Sequence, residues 1–157
     1  MRFRIVLAGA LAALVGTPAF AQTCASPIQI GTQLLPYAGY ADSCMSSDNI
    51  SYYDGGAIYA PGRDIVYRVY GYRVRYGATP ALRFILQPNP GYDPALFACG
   101  QCGVTPTCFD AADSFGAGAS ESMIVGARSA AYYLVVDSLS QSPPFDCGGY
   151  NLFVAKY

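Results

Sequence analysis

The chain has 157 residues and a formal net charge of −1, with no histidine, no tryptophan and a single lysine, Lys156. Without histidine, Ser-His-Asp and Cys-His catalysis are excluded, and with them the usual zinc and copper ligand sets, including that of a cupredoxin. The weak, dispersed charge gives no footing for nucleic acid or an anionic membrane surface as a partner.

The N-terminus opens with Arg2 and Arg4, continues with the small and apolar run Ile5 to Val15, and reaches Ala19-Phe20-Ala21 after a Gly-Thr-Pro break. A short positive region, an apolar run of about half the roughly 20 residues a spanning helix needs, and a small-x-small site together predict a secretory signal peptide. Cleavage after Ala21 predicts residues 1–21 as leader and 22–157 as one domain, secreted or periplasmic, with no membrane span in the mature part. That mature part keeps seven basic and ten acidic residues, a net charge of −3. With so few charges, tyrosine hydroxyls and small polar side chains must wet much of the surface.

Beyond the leader the strand period dominates and no helical period of useful length occurs. Residues 27–35 predict a weak first strand, and 37–60 form the least regular stretch. Residues 64–75 (DIVYRVYGYRVR) give the strongest strand signal. They place Ile65, Tyr67 and Val69 on a face expected to point inward, with Val66, Arg68 and Tyr70 opposite. Further strands are expected at 82–86, with Leu82, Phe84 and Leu86 inward against Arg83, and at 95–99, 122–127, 131–137 and 150–156. Gly, Pro, Asn and Asp fill the connections. Seven or more short strands separated by turns predict an all-β fold, an antiparallel β-sandwich or barrel.

Six cysteines, Cys24, Cys44, Cys99, Cys102, Cys108 and Cys147, lie after the leader, an even number that predicts a disulfide framework in an exported chain. They allow 15 pairings. Cys24 with Cys44 is expected, because it would pin the mature N-terminus at roughly 3 kcal/mol of chain entropy. The remaining four then pair among themselves. Cys99 and Cys102 form a C-x-x-C pair, but a strand precedes it where a redox pair has a helix N-terminus, so structural disulfides are expected over redox chemistry or a four-cysteine zinc site.

Five short segments, in order, have the look of a known family. They are Gly62-Arg63-Asp64-Ile65-Val66-Tyr67-Arg68-Val69, Tyr92-Asp93-Pro94-Ala95-Leu96-Phe97, Glu121-Ser122-Met123-Ile124-Val125, Ala131 to Asp137 (AYYLVVD), and Gly149 to Val154 (GYNLFV). The set resembles the bacterial pre-peptidase C-terminal (PPC) domain over residues 62–157. The resemblance implies a jelly-roll-like sandwich without catalytic residues, a module of the kind found beside secreted peptidases. No peptidase domain is expected beside it in residues 22–157.

The candidate sites are few. Asp110 and Asp113 are weak calcium candidates, although no D-x-D-x-D-G loop is present and aspartates are ordinary turn residues. Otherwise no cofactor is expected. Tyr37, Tyr40, Tyr52, Tyr53 and Tyr59 are candidates for a binding surface, a stacking platform for a glycan or a patch for a protein, against the alternative that they pack the core. The expected function is therefore an exported, non-catalytic binding or accessory module, with an extracellular or periplasmic protein or glycan as its partner. The alternatives are a small hydrolase using paired aspartates, which requires two carboxylates across a cleft, and a structural envelope or matrix component.

Overall fold

A computed structural model describes residues 23–70, 81–126 and 128–157. The leader and its cleavage site lie outside the described residues, as do residues 71–75 of the expected strand 64–75 and Ala127.

Among the described residues eleven strands follow one another: β1 (Ile28–Ile30), β2 (Tyr37–Asp42), β3 (Tyr52–Tyr53), β4 (Ile58–Tyr59), β5 (Ile65–Val69), β6 (Ala81–Pro88), β7 (Pro94–Cys99), β8 (Cys108–Ala112), β9 (Glu121–Gly126), β10 (Tyr132–Ser138) and β11 (Gly149–Lys156). They form a five-stranded sheet, β1-β5-β10-β7-β8, a four-stranded sheet, β2-β11-β6-β9, and the small hairpin β3-β4. Every pairing is antiparallel except β1 with β5.

The two sheets close over one core. The first contributes Ile65, Tyr67, Val69, Leu96, Leu134 and Val136, and the second Leu82, Phe84, Leu86, Val125, Leu152 and Val154. Each fully buried aliphatic or aromatic side chain contributes about 1.5–3 kcal/mol over leaving it in water. The inward faces expected for residues 65–69 and 82–86 are those observed. β9 alternates buried and exposed along its whole length, as a strand with one wet face must. β10 does not alternate, because the five-stranded sheet is covered on both faces.

A second core does the covering. Val66, Ala95, Phe97, Cys99 and Val135 project from the outer face of the five-stranded sheet and pack under Ile50, Tyr53 and Ala60. The face opposite Ile65 is thus occupied rather than bare, with Val66 fully buried. The segment 37–60, expected to be irregular, supplies both an edge strand and this cover. Residues 108–112, expected as loop, pair with β7 instead. The weak first strand shrinks to three residues followed by a 3-10 turn at Thr32–Leu34.

The expected Cys24–Cys44 bond does not form. The pairs are Cys24–Cys102, Cys44–Cys147 and Cys99–Cys108, and no cysteine is free. The strand register explains two of them. Asp42 stands opposite Gly149 in the β2–β11 ladder, so two steps further along Cys44 meets Cys147. Cys99 stands directly opposite Cys108 in β7–β8. Cys24 then staples the loop carrying Cys102 to the segment before β1. Because Cys99 and Cys102 take different partners, the C-x-x-C pair holds no bond of its own, and all six sulfurs are structural. Disulfides of this kind persist in oxidising compartments.

Candidate functional site

The site begins with the hairpin. β3 and β4 have two residues each, and Tyr52 stands opposite Tyr59 in their register. The two rings lie 4.9 Å apart, tilted by 32°, and both are about half exposed. The hydroxyl of Tyr59 accepts a hydrogen bond from the side-chain amide of Gln141, in the loop between β10 and β11. That loop also exposes Leu139 and Phe145. The turn between the strands uses the left-handed region at Asp54, Gly55 and Gly56. It is moored when the Asp54 carboxylate accepts the Cys108 N–H at 2.7 Å and the Asp54 N–H donates to the Pro106 carbonyl at 3.0 Å. A two-residue hairpin has little stability of its own, so its anchors decide where the tyrosines stand.

The main anchor is Tyr53, whose side chain points the other way and is fully buried. Its ring stacks on Phe97 with centroids 4.0 Å apart. Its hydroxyl donates to Oδ2 of Asp137 at 2.7 Å, and Oδ1 of Asp137 accepts the Ser138 N–H at 2.7 Å. A second anchor lies at the start of the covering segment, where Oδ2 of Asp64 accepts the N–H groups of Asn49 (2.5 Å) and Ile50 (2.9 Å). The Asp64 carbonyl accepts the Ser46 hydroxyl. Oδ1 of Asp64 is buried without a partner.

Asp64 directly precedes β5, and Asp137 lies in its neighbour β10. The β5–β10 ladder ends at Ile65 opposite Val136, which sets Asp64 and Asp137 against each other one step beyond it. Both residues are fully buried. Burial pushes the Asp137 carboxyl up to about 8, with the nearby Asp64 and Asp48 carboxylates adding, while the hydrogen bonds from Tyr53 and Ser138 pull it down. Burial also raises Asp64, against the pull of the Asn49 and Ile50 hydrogen bonds. The cause is general: a desolvated carboxylate beside another one takes up a proton. Burial, then Asp137, also pushes the Tyr53 phenol far upward, so that ring stays neutral.

Approach to this pair is tight. At Gly62 an added Cβ would sit 2.6 Å from Ser138 Cβ and 2.9 Å from the Asp146 carbonyl oxygen. The glycine that opens the Gly62-Arg63-Asp64 segment is therefore required by packing against the end of β10.

The five candidate tyrosines do not form one surface. Tyr52 and Tyr59 pair on the hairpin and Tyr53 lies beneath them. Tyr37 is half-buried against the main core, and Tyr40 stands exposed on the outer face of the four-stranded sheet, on the far side of the sandwich. The sequence did not single out Gln141, nor did it pair Asp64 with Asp137. The signal for Asp137 was its position at the end of a strand with no polar alternation, where a charged residue has no wet face to occupy.

The calcium candidates are not gathered. Asp110 accepts its neighbour Ala111 N–H, and Asp113 follows β8, where burial raises its carboxyl with Asp93 and Glu121 adding. Among the described residues no group of three or more acidic or cysteine side chains is arranged to hold a metal ion. Two surface cavities of about 360 and 330 Å³ flank Arg128, whose guanidinium lies 3.4 Å from the Phe109 ring centroid. One is lined by Gly100 and residues 128–132, and the other includes a single carboxylate, Asp110.

No family model matches the chain, and no curated protein matches it in sequence.

Proposed function

We propose that the chain is an exported, non-catalytic binding module of PPC-like type, and that it takes a neutral glycan on the Tyr52–Tyr59 hairpin. The observation that carries the reading is the exposed pair of tyrosine rings beside the Gln141 amide, held from below by a fully buried tyrosine of the same strand. Aromatic faces with a side-chain amide at their edge offer apolar contact and directed hydrogen bonds together, which is what a sugar ring presents in return. Tyrosine suits such a surface because its ring is rigid and loses little side-chain entropy on contact.

Two further observations support binding over hydrolysis. Neither cavity beside Arg128 is lined by a pair of carboxylates, and Asp64 and Asp137 are buried beneath the hairpin rather than set across a cleft.

A glycan array probed with the mature protein tests the proposal. Binding to a related set of neutral glycans is expected. A blank array, joined with a protein captured through the same hairpin, would replace the glycan by a protein partner; a blank array with nothing captured would overturn the binding reading.

A second reading, a self-associating envelope or matrix component, is favoured by one feature. Among the described residues nothing covers the outer face of the four-stranded sheet, which carries Phe153 opposite Ile85, with Ile124 on the neighbouring strand β9. A clean monomer at high concentration in size-exclusion chromatography would count against it.

A further inference from the structure

We infer that Asp64 and Asp137 form a proton-operated latch that holds the covering segment 47–60 on the sandwich and releases it when the Asp137 carboxyl loses its proton. Its role in regulating ligand contact rests on the glycan-platform reading; the latch itself does not.

The argument starts from connectivity. Each carboxylate holds a different part of one segment: Asp64 grips the backbone at Asn49 and Ile50, and Asp137 holds the Tyr53 hydroxyl. Both are fully buried, on adjacent strands, opposite each other. Two like charges buried so near each other cannot both persist at low cost, so one of the two carboxyls keeps its proton. Asp64, with two backbone N–H donors on one oxygen, is the better seat for the charge, and Asp137 the better seat for the proton. Protonated, the Asp137 carboxyl exchanges a neutral hydrogen bond with the Tyr53 hydroxyl, which serves as donor or acceptor.

The groups facing Asp137 from the packed elements do not relieve a second charge. They are Asp64 at the start of β5, Asp48 in the covering segment, the neutral Tyr53 on β3 and the neutral Tyr92 before β7. Asp48 is itself part of the segment that would lift, so its own negative charge is carried away from the pair on opening. Loss of the proton therefore favours the state in which residues 47–60 peel back and water reaches both carboxylates. The cover lifts while the nine strands of the two sheets stay paired, because only β3, β4 and their flanks depend on these two anchors.

Opening would carry Tyr53 off Phe97 and Tyr52 and Tyr59 out of their fixed place on the sandwich. The platform would thus be ordered below the transition and disordered above it.

The test is native-state hydrogen exchange of the mature, disulfide-intact protein, followed by mass spectrometry from pH 6 to pH 10 and corrected for intrinsic base catalysis. Peptides covering 47–60 should lose at least about tenfold protection across the range, one pK unit of coupling corresponding to tenfold, while the β11 peptide 149–156 stays protected. Asp137→Asn keeps an acceptor for the Ser138 N–H and a partner for Tyr53, and should make the protection of 47–60 independent of pH. Should that variant fail to fold, a carbon-13 titration of the wild-type aspartate carboxyls decides the matter: a carboxyl titrating well above the normal aspartate range together with loss of protection supports the latch. Flat protection of 47–60 in the wild type, or a pH dependence that survives Asp137→Asn, overturns it. Because exchange is measured without ligand, a working latch with a blank glycan array removes the platform reading alone, and glycan binding with flat exchange removes the latch alone.

Discussion

Asp64 and Asp137 stand opposite each other one step beyond the β5–β10 ladder, both fully buried, each holding a different part of the segment that covers the five-stranded sheet. The segment buries Ile50, Tyr53 and Ala60 on its inner side and presents Tyr52 and Tyr59 on its outer side. One short hairpin therefore links an acid pair in the interior to an aromatic pair at the surface.

That arrangement fixes the sign of the pH dependence of global stability. The Asp137 carboxyl is raised from 3.8 to about 8 in the folded chain, so between those values the folded state binds a proton that the unfolded state has lost. Stability is then greatest in acid and falls as pH rises towards 8, by about 1.4 kcal/mol per pH unit at most. The upward push on Asp64 acts in the same direction. Denaturant unfolding at pH 4.5, 6 and 8 should show a falling midpoint, and Asp137→Asn should flatten the series. A midpoint that rises over this range would mean that the pair is ionised and compensated in the folded state.

The core contains a second polar contact whose loss should be non-additive. The hydroxyls of Tyr67 and Tyr150 meet at 2.9 Å between the two sheets, both rings fully buried. Tyr67→Phe leaves the Tyr150 hydroxyl without this partner and should cost about 1–3 kcal/mol. Replacing both hydroxyls should cost less than the sum of the two single changes, since no orphaned group remains. A double-mutant cycle by urea unfolding reads the coupling directly.

The disulfides should differ in worth according to the chain they enclose. Cys44–Cys147 spans 103 residues of sequence and Cys99–Cys108 only 9. On the chain-entropy account the longer loop stabilises by roughly 2 kcal/mol more. Paired serine substitutions, Cys44→Ser with Cys147→Ser against Cys99→Ser with Cys108→Ser, should reproduce that order in denaturant midpoints.

How much of this could be read from the sequence follows from the range of the interactions involved. The inward faces of 65–69 and 82–86 were legible because alternation is local: Arg68 and Arg83 mark the wetter side of each strand. The disulfide pairing was not, because Cys44 finds Cys147 only through the register of β2 on β11, which no local pattern carries. The irregular appearance of 37–60 had the same origin. Its first strand is held by β11 and its hairpin by Asp64 and Asp137, all distant pairings rather than local periodicity. Asp64 and Asp137 stood at the ends of two expected strands with nothing to link them, and only their pairing across β5 and β10 makes them a unit. Of the five tyrosines, sequence could name the group but not divide it. The division follows from strand direction, which turns Tyr53 inward and its neighbour Tyr52 outward.

The central claim is that Tyr52 and Tyr59 form the contact surface. It is tested most directly by calorimetric titration of the strongest-binding array glycan into the wild-type protein and into the Tyr52→Ala, Tyr59→Ala double variant. Both side chains are about half exposed, so the variant should fold with a thermal midpoint close to that of the wild type. The predicted result is at least a tenfold loss of affinity, about 1.4 kcal/mol, with the fold intact. An unchanged affinity in a folded double variant would contradict the claim and move the contact surface elsewhere on the sandwich.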